Sequence, residues 1–319
     1  MECTYKYKTI SVAHLKELQK DISNLDRQGK LSNNERYRSY LSPDRFTVPE
    51  NFSDSKFIII LALFSPLKFV NFLLHNKKYE VMLPPESYYS GMTNNNWITL
   101  IEEKIIKQPG YKIEEVEQIP LKLLAVRSGL GRYGRNNICY VDEMGSFISL
   151  HGFFTDFEFA EDNWQEVNMM DHCESCRICM HKCPCNCIRE ENFVIDAQKC
   201  ITWYNERKGE FPQWIDPDIH NALLGCMKCQ MSCPANARVM KFTERFEDIL
   251  EEDTINVLNG TIGEAGLKSI CEIFGLFTEA DLKDYLPIVK RNLGVLISGW
   301  QQPRRLRSPL SQTVRSNSC

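Results

Sequence analysis

The apolar positions of this chain fall into short stretches with two different periods. The longest unbroken apolar run, residues 57–64, is far short of the roughly 18 residues that a membrane span needs. It predicts a buried central strand over residues 56–64, ended by Ser65-Pro66. Val12, Leu15, Leu18 and Ile22 recur at helical spacing and predict an amphipathic helix over residues 11–23. The rest of residues 1–55 reads as helix and loop, broken at Pro43 and Pro49. Pro84-Pro85 marks a loop, and Pro109-Gly110 ends a helix expected over residues 97–107. A strand is expected over residues 111–117, then a helix over 120–128 that opens with Pro120. Residues 138–141 and 146–153 pattern as a hairpin around Asp142–Gly145.

Strands that alternate with helices predict a mixed α/β domain over residues 1–160. An acidic linker over residues 158–166 leads into a cysteine-rich region, 161–245. A helix is expected over residues 235–252, within and beyond that region, and a helical segment over 246–302. Residues 303–319 carry Arg304, Arg305, Arg307 and Arg315 among serines and predict a disordered tail.

Composition narrows the function. Hydrophobic residues make up 43% and charged residues 25%, the mix of a soluble globular protein. A net charge of −4 argues against general nucleic-acid binding by electrostatics, while leaving room for a local basic patch and an RNA substrate. Met1-Glu2-Cys3 lacks the basic-then-apolar pattern of a signal peptide, so a cytoplasmic location without a membrane is expected.

The cysteines change the picture most. There are fourteen, and ten lie between Cys173 and Cys233. In a reducing compartment such clustering points to metal binding or redox chemistry rather than disulfides. Cys173-x2-Cys176-x2-Cys179-x3-Cys183-Pro184 has the spacing of bacterial ferredoxins, in which three cysteines hold one cluster and the fourth holds another. Thiolates at every third residue can wrap three corners of a cubane, while the fourth faces away. A second run, Cys226-x2-Cys229-x3-Cys233-Pro234, lacks a third close cysteine, and Cys200 completes it. Two [4Fe–4S] clusters follow: Cys173, Cys176, Cys179 and Cys233 for the first, and Cys183, Cys200, Cys226 and Cys229 for the second. Paired zinc sites also use CxxC, but the triple repeat with Cys-Pro favours iron–sulfur. Cys185 and Cys187 are surplus, readable as spare ligands or small buried hydrophobes. Cys3, Cys139, Cys271 and Cys319 are isolated. Trp203, Tyr204 and Trp214 are expected to shield the clusters from water.

The block Ala125-Val126-Arg127-Ser128-Gly129-Leu130-Gly131-Arg132-Tyr133-Gly134-Arg135-Asn136-Asn137 resembles the AxxAGLGxxGKN segment of the epoxyqueuosine reductases. Gly145-Ser146-Phe147, Phe154-Thr155-Asp156 and the run from Gly225-Cys226 to Pro234-x-Asn236 extend the resemblance, which spans roughly residues 30–240. It implies an α+β protein: a nitroreductase-like α/β cobalamin-binding domain followed by a double-[4Fe–4S] ferredoxin-like domain. The family is also related to the reductive dehalogenases. It further implies a base-off cobalamin, reduced through the clusters by a donor such as ferredoxin or flavodoxin. The family's substrate is a modified tRNA nucleoside whose epoxide is reduced to an alkene. A small molecule or a corrinoid protein is the other class of substrate considered. The glycine turn then reads as a close approach to the cofactor, with Arg127, Ser128, Gly129, Gly131, Gly134, Asn136 and Asn137 as candidate contacts. A nicotinamide site is disfavoured, because the stretch before the glycines patterns as helix rather than strand. The family places a proton-donating Asp upstream. Here that position is Glu115 counting back from Gly129, or Glu117 aligning on Pro120. The family's C-terminal helical repeat is absent or much reduced. An electron-transfer protein without its own substrate, serving for example an activator of a corrinoid enzyme, is the alternative.

Overall fold

The computed structural model describes residues 5–83, 94–191, 193–274 and 279–301. The loop expected at Pro84-Pro85, the tail 303–319, Cys3 and Cys319 lie outside them. In chain order the elements are β1 (Tyr5–Ser11), α1 (Leu15–Arg27), α2 (Glu35–Ser39), β2 (Phe57–Phe64), β3 (Leu67–Leu74) and β4 (Lys77–Leu83). Then come α3 (Asn94–Leu100), running into a π turn at Ile101–Ile106, β5 (Ile113–Glu115), α4 (Leu121–Arg127), β6 (Arg132–Tyr133), β7 (Cys139–Tyr140) and β8 (Ile148–Thr155). The cysteine region contributes α5 (Ile178–Lys182), α6 (Ile201–Asn205) and α7 (Lys228–Met231). The chain continues with β9 (Thr243–Arg245), α8 (Glu251–Asn259), α9 (Glu264–Phe274) and α10 (Glu279–Gln301).

The first sheet has the order β1-β2-β8-β5 and is antiparallel throughout. Its central strand, β2, is apolar on both faces because both are covered. Ile58, Ile60 and Ala62 pack on Leu15 and Leu18 of α1 and Leu124 and Val126 of α4. Ile59, Leu61 and Leu63 pack on Ile101, Ile105 and Ile106. Each such side chain taken out of water contributes about 1.5–3 kcal/mol. The expected central strand is therefore present, while β1 occupies a stretch expected to be helix and loop, and the amphipathic helix begins later.

β3 and β4 form a hairpin that reverses at His75 and Asn76, whose φ values are 51° and 58°. Two successive left-handed residues match the right-handed twist of the strands. β9 adds to β3 in parallel. Val70, Phe72 and Val81 then build a second core with Ile249, Val257, Leu267, Ile288, Val289 and Leu293. This overturns the helix expected over residues 235–252. Phe246 N–H donates to Phe69 O (2.9 Å) and Ile249 N–H to Asn71 O (2.9 Å), so pairing with β3 outweighs local helical preference. The expected hairpin over 138–153 is also rearranged. β7 pairs with β6, β8 inserts between β2 and β5, and only Val141 and Gly145 bridge.

A buried polar staple joins the C-terminal helices to the cysteine region. Asn292 of α10 is fully buried and donates through Nδ2 to Asn205 O and Leu223 O, both at 2.8 Å. Asn205 in turn donates to Gly225 O at 2.8 Å. No helix among the described residues is long and apolar enough to cross a membrane. Asn292→Ala leaves two buried carbonyls without donors, so urea unfolding should show stability lowered by about 1–3 kcal/mol with the slope unchanged.

Candidate functional site

Four short segments deliver the cysteines. A turn at Asp171–Cys173 and helix α5 carry the first run, the residue before α6 is Cys200, and α7 carries Cys229 with Cys226 just before it. None of these helices exceeds five residues.

Cys173, Cys176, Cys179 and Cys233 line one such space, together with Gly134, Asn136, Tyr140 and Pro234. Cys183, Cys200, Cys226 and Cys229 line a second, of about 170 Å³, together with Asn136, Lys122 and Gln230. These are the two groups expected from the spacing. Cys229, in α7, lines the second space, and Cys233, two residues past the end of α7, lines the first. Burial pushes the Cys179 thiol up to about 11 and Cys226 up to about 12. The four thiols of the first space, and four of the six in the second, are the donor set that an iron–sulfur cluster takes.

Cys185 and Cys187 both join the second space. Cys187 is buried, with Sγ 3.4 Å from Cys183 Sγ and within hydrogen-bond reach of Cys200. Those two contacts hold the Cys187 thiol far above its ordinary range. The Cys187 hydrogen bond draws Cys183 down to about 6 and Cys200 down to about 7.

A larger cavity of about 690 Å³ lies beside the second space and shares Lys122, Asn137, Ile138 and Gln230 with it. Its walls are mainly apolar: Leu25, Leu31, Leu123, Ile148, Leu150, Phe193 and the buried Cys139. Tyr37, Tyr40, Ser146 and Asn137 supply polar edges. A further cavity of about 400 Å³ adjoins through Tyr37, Tyr40, Lys122 and Asn137, and adds Arg36, Trp203, Glu206 and Arg207. Lys122 is exposed overall and borders both cavities. Its Nζ donates to Asn137 O and Oδ1, both at 3.0 Å, and burial lowers its pKa. Lysine at a helix start reads as solvated in a sequence, so nothing there pointed to Lys122.

The glycine turn is divided between roles. Gly129, at φ 72°, caps α4. Its N–H donates to Val126 O, and Gly131 N–H to Ala125 O. A Cβ on Gly131 would stand 2.5 Å from Cys139 Sγ, so that glycine serves close packing. Ser128 is buried and donates to Ala125 O. Arg127 is turned away from the cavities, paired with Asp21 (2.6 Å) and Glu166 (3.4 Å) and lying over Trp164. None of these four lines the cavities or thiol spaces described here, and their partners lie within the fold. Gly134 and Asn136 do reach the thiol spaces, and Asn137 reaches the cavity. Glu115, at the end of β5 opposite Phe153, and the exposed Glu117 line none of the cavities described here. Trp203 borders the adjoining cavity, while Trp214 is half exposed.

Comparison with known proteins agrees with this arrangement. Residues 172–236 match the family described as a 4Fe-4S double cluster binding domain. The chain is 31% identical over 134 residues to the epoxyqueuosine reductase of Staphylococcus aureus, covering 42% of this chain and 33% of that protein. The fold matches the structure of epoxyqueuosine reductase from Streptococcus thermophilus with a TM-score of 0.62 at 18% identity, over 92% of this chain and 77% of that one. It also matches an epoxyqueuosine reductase crystallised with an epoxyqueuosine-modified tRNA stem loop, with a TM-score of 0.61 at 18% identity, over 92% and 77%. The expected resemblance and the mixed α/β fold with a double-cluster region are borne out. The matched segments span 33% and 49% of the length of the first two curated relatives.

Glu206 is the carboxyl of the adjoining cavity. Its Oε1 is buried without a hydrogen-bond partner, and burial pushes its pKa up to about 8. The folded chain therefore keeps a proton that the unfolded chain releases near pH 4.5, and stability falls as pH rises toward 8. Glu206→Gln should flatten that fall. Urea unfolding at pH 6 and pH 8.5 should show a difference smaller by on the order of 2 kcal/mol in the variant.

Proposed function

We propose that this protein is an iron–sulfur reductase of the epoxyqueuosine reductase kind, working on a substrate held beside a corrinoid. The order of shared walls carries this reading. The first thiol group meets the second at Asn136, and the second meets the large cavity at Lys122, Asn137 and Gln230. Electrons entering at the first group have a route through the second to whatever the cavity holds. In this reading Cys173, Cys176, Cys179 and Cys233 hold one [4Fe–4S] cluster, and Cys183, Cys200, Cys226 and Cys229 hold the other.

The cavity suits a corrinoid. Its apolar walls would take the faces of a macrocycle, and Tyr37, Tyr40, Asn137, Ser146 and Gln230 would be the polar residues available to its amide side chains. No histidine lines it among the described residues, which agrees with base-off binding. Bound there, the corrinoid supplies a strongly reducing metal centre. The chain's own residues exclude water through Ile148, Leu150 and Phe193, and hold protons at Lys122 Nζ and Glu206. Those two, rather than Glu115 or Glu117, are the titratable groups placed to supply a proton. Arg36, Arg207 and Lys122 line the adjoining cavity with positive charge, as a nucleic-acid substrate requires. The tRNA stem loop bound by a protein of the same fold supports a tRNA substrate, and ferredoxin or flavodoxin is the matching class of donor. A cavity of about 690 Å³ favours this reading over a simple electron carrier.

Anaerobic reconstitution should give about eight irons per chain and a base-off cobalamin spectrum. Leu150→Trp, which fills the cavity, should keep the irons and lose the cobalamin. A chain that loads its irons and ignores cobalamin sinks the corrinoid assignment. A deletion strain should accumulate epoxyqueuosine in its tRNA, and unchanged queuosine levels would remove that substrate.

A further inference from the structure

One side-chain pair touches both thiol groups. Asn136 is 3% exposed and lines both spaces. Its Nδ2 donates to the Tyr140 hydroxyl at 2.9 Å, and Asn136 shares the wall of the second space with Cys229. Tyr140, 4% exposed, shares the wall of the first space with Cys233. A continuous path therefore runs from the wall of the second space through the Asn136 amide and the Tyr140 hydroxyl to the wall of the first. The backbone fixes this pair. Asn136 follows Gly134, where a Cβ would stand 2.5 Å from Asn136 Oδ1 and 2.6 Å from the Tyr140 ring. Tyr140 is held in the short pairing of β7 with β6.

Each link has a direction. The amide has N–H donors, and a thiolate only accepts. The hydroxyl accepts from Asn136, and its own proton is then free to point at Cys233. Both ends of the path are donors at the walls of spaces lined by sulfurs that would ligate iron.

We propose that Asn136 and Tyr140 form a hydrogen-bonded bridge between the two clusters, with Tyr140 raising the potential of the cluster that Cys233 ligates. The inference rests on the two-cluster reading above. A reduced cluster carries more negative charge on its sulfurs than an oxidised one. A donor to a ligand sulfur therefore stabilises the reduced form and moves the potential upward. Asn136 acts on both sides, directly on Cys229 and through Tyr140 on Cys233. Hydrogen bonds in such a chain polarise one another, so the two potentials are linked through it. Tyr140 and Asn136 are positioning residues here: they act on the clusters through ligand sulfurs.

The test is a potentiometric titration of the reconstituted full chain, followed by electron paramagnetic resonance. Wild type, Tyr140→Phe and Asn136→Ala are compared, with Cys176→Ser identifying the first cluster by the signal it loses. Tyr140→Phe keeps the ring and removes only the hydroxyl. The expected result is full iron content and a more negative midpoint for the first cluster alone. Asn136→Ala should move both midpoints in the same direction. Unchanged midpoints in a fully loaded Tyr140→Phe chain overturn the proposal, and so does loss of the first cluster from it, because that makes the hydroxyl an assembly requirement. Failure of the two-cluster reading shows separately, as a wild-type chain that does not take up two clusters.

Discussion

A cuboidal cluster demands four thiolates at fixed positions, and no single segment of this chain supplies four to either group. The first run gives three cysteines to one space and sends Cys183 to the other. Cys233 must return across some fifty residues of chain to complete the first. Every other feature of this region serves that convergence. The helices are one turn long, which changes direction without taking up length. Asn236 is fully buried and receives Ser146 N–H at 2.8 Å, while its own Nδ2 donates to Gln230 O at 2.8 Å. That contact fixes the segment after Cys233 against the loop that leads into β8. Asn292 and Asn205 do the same for the segment before Cys226.

The alignment of spaces follows from the same constraint. Cys229 lies in α7 and Cys233 two residues beyond its end, and the two groups share Asn136 as a wall residue, so they are neighbours. The second group opens toward the cavity through Asn137 and Lys122, whereas the first shares no wall residue with it. On the proposed reading, an acceptor in the cavity would be served by one cluster, with the other behind it in series.

Much of this was legible in the sequence, for physical reasons that differ by element. The cysteine groups were readable because ligand spacing is a local property, and their cross-assignment needed only counting. β2 was readable because burial on both faces leaves a solid apolar run. β1 was not, since its alternation of Tyr and Lys signals a half-solvated strand and the stronger helical signal followed directly. The β3–β4 hairpin turns on His75 and Asn76, without the glycine that usually marks such a turn. The site residues divide in the same way. Asn136 and Asn137 lie in the quoted motif and reach the site. Arg127 lies in it too, but Asp21, more than a hundred residues upstream, claims its guanidinium. Lys122 and Tyr140 have ordinary local contexts, and only tertiary packing turns them toward the thiols and the cavity.

The pairing of β9 with β3 has a consequence for how the chain can be divided. In the order β4-β3-β9, β3 is an interior strand only when the chain has passed through the cysteine region and come back. A fragment cut before Thr243 would leave the apolar β3, with Val70 and Phe72, as an open edge and its inner face uncovered. Such edges recruit strands from other molecules. The cysteine region is thus an insertion between partners, and shortened forms of the protein that separate the two halves are headed for aggregation rather than for independent modules.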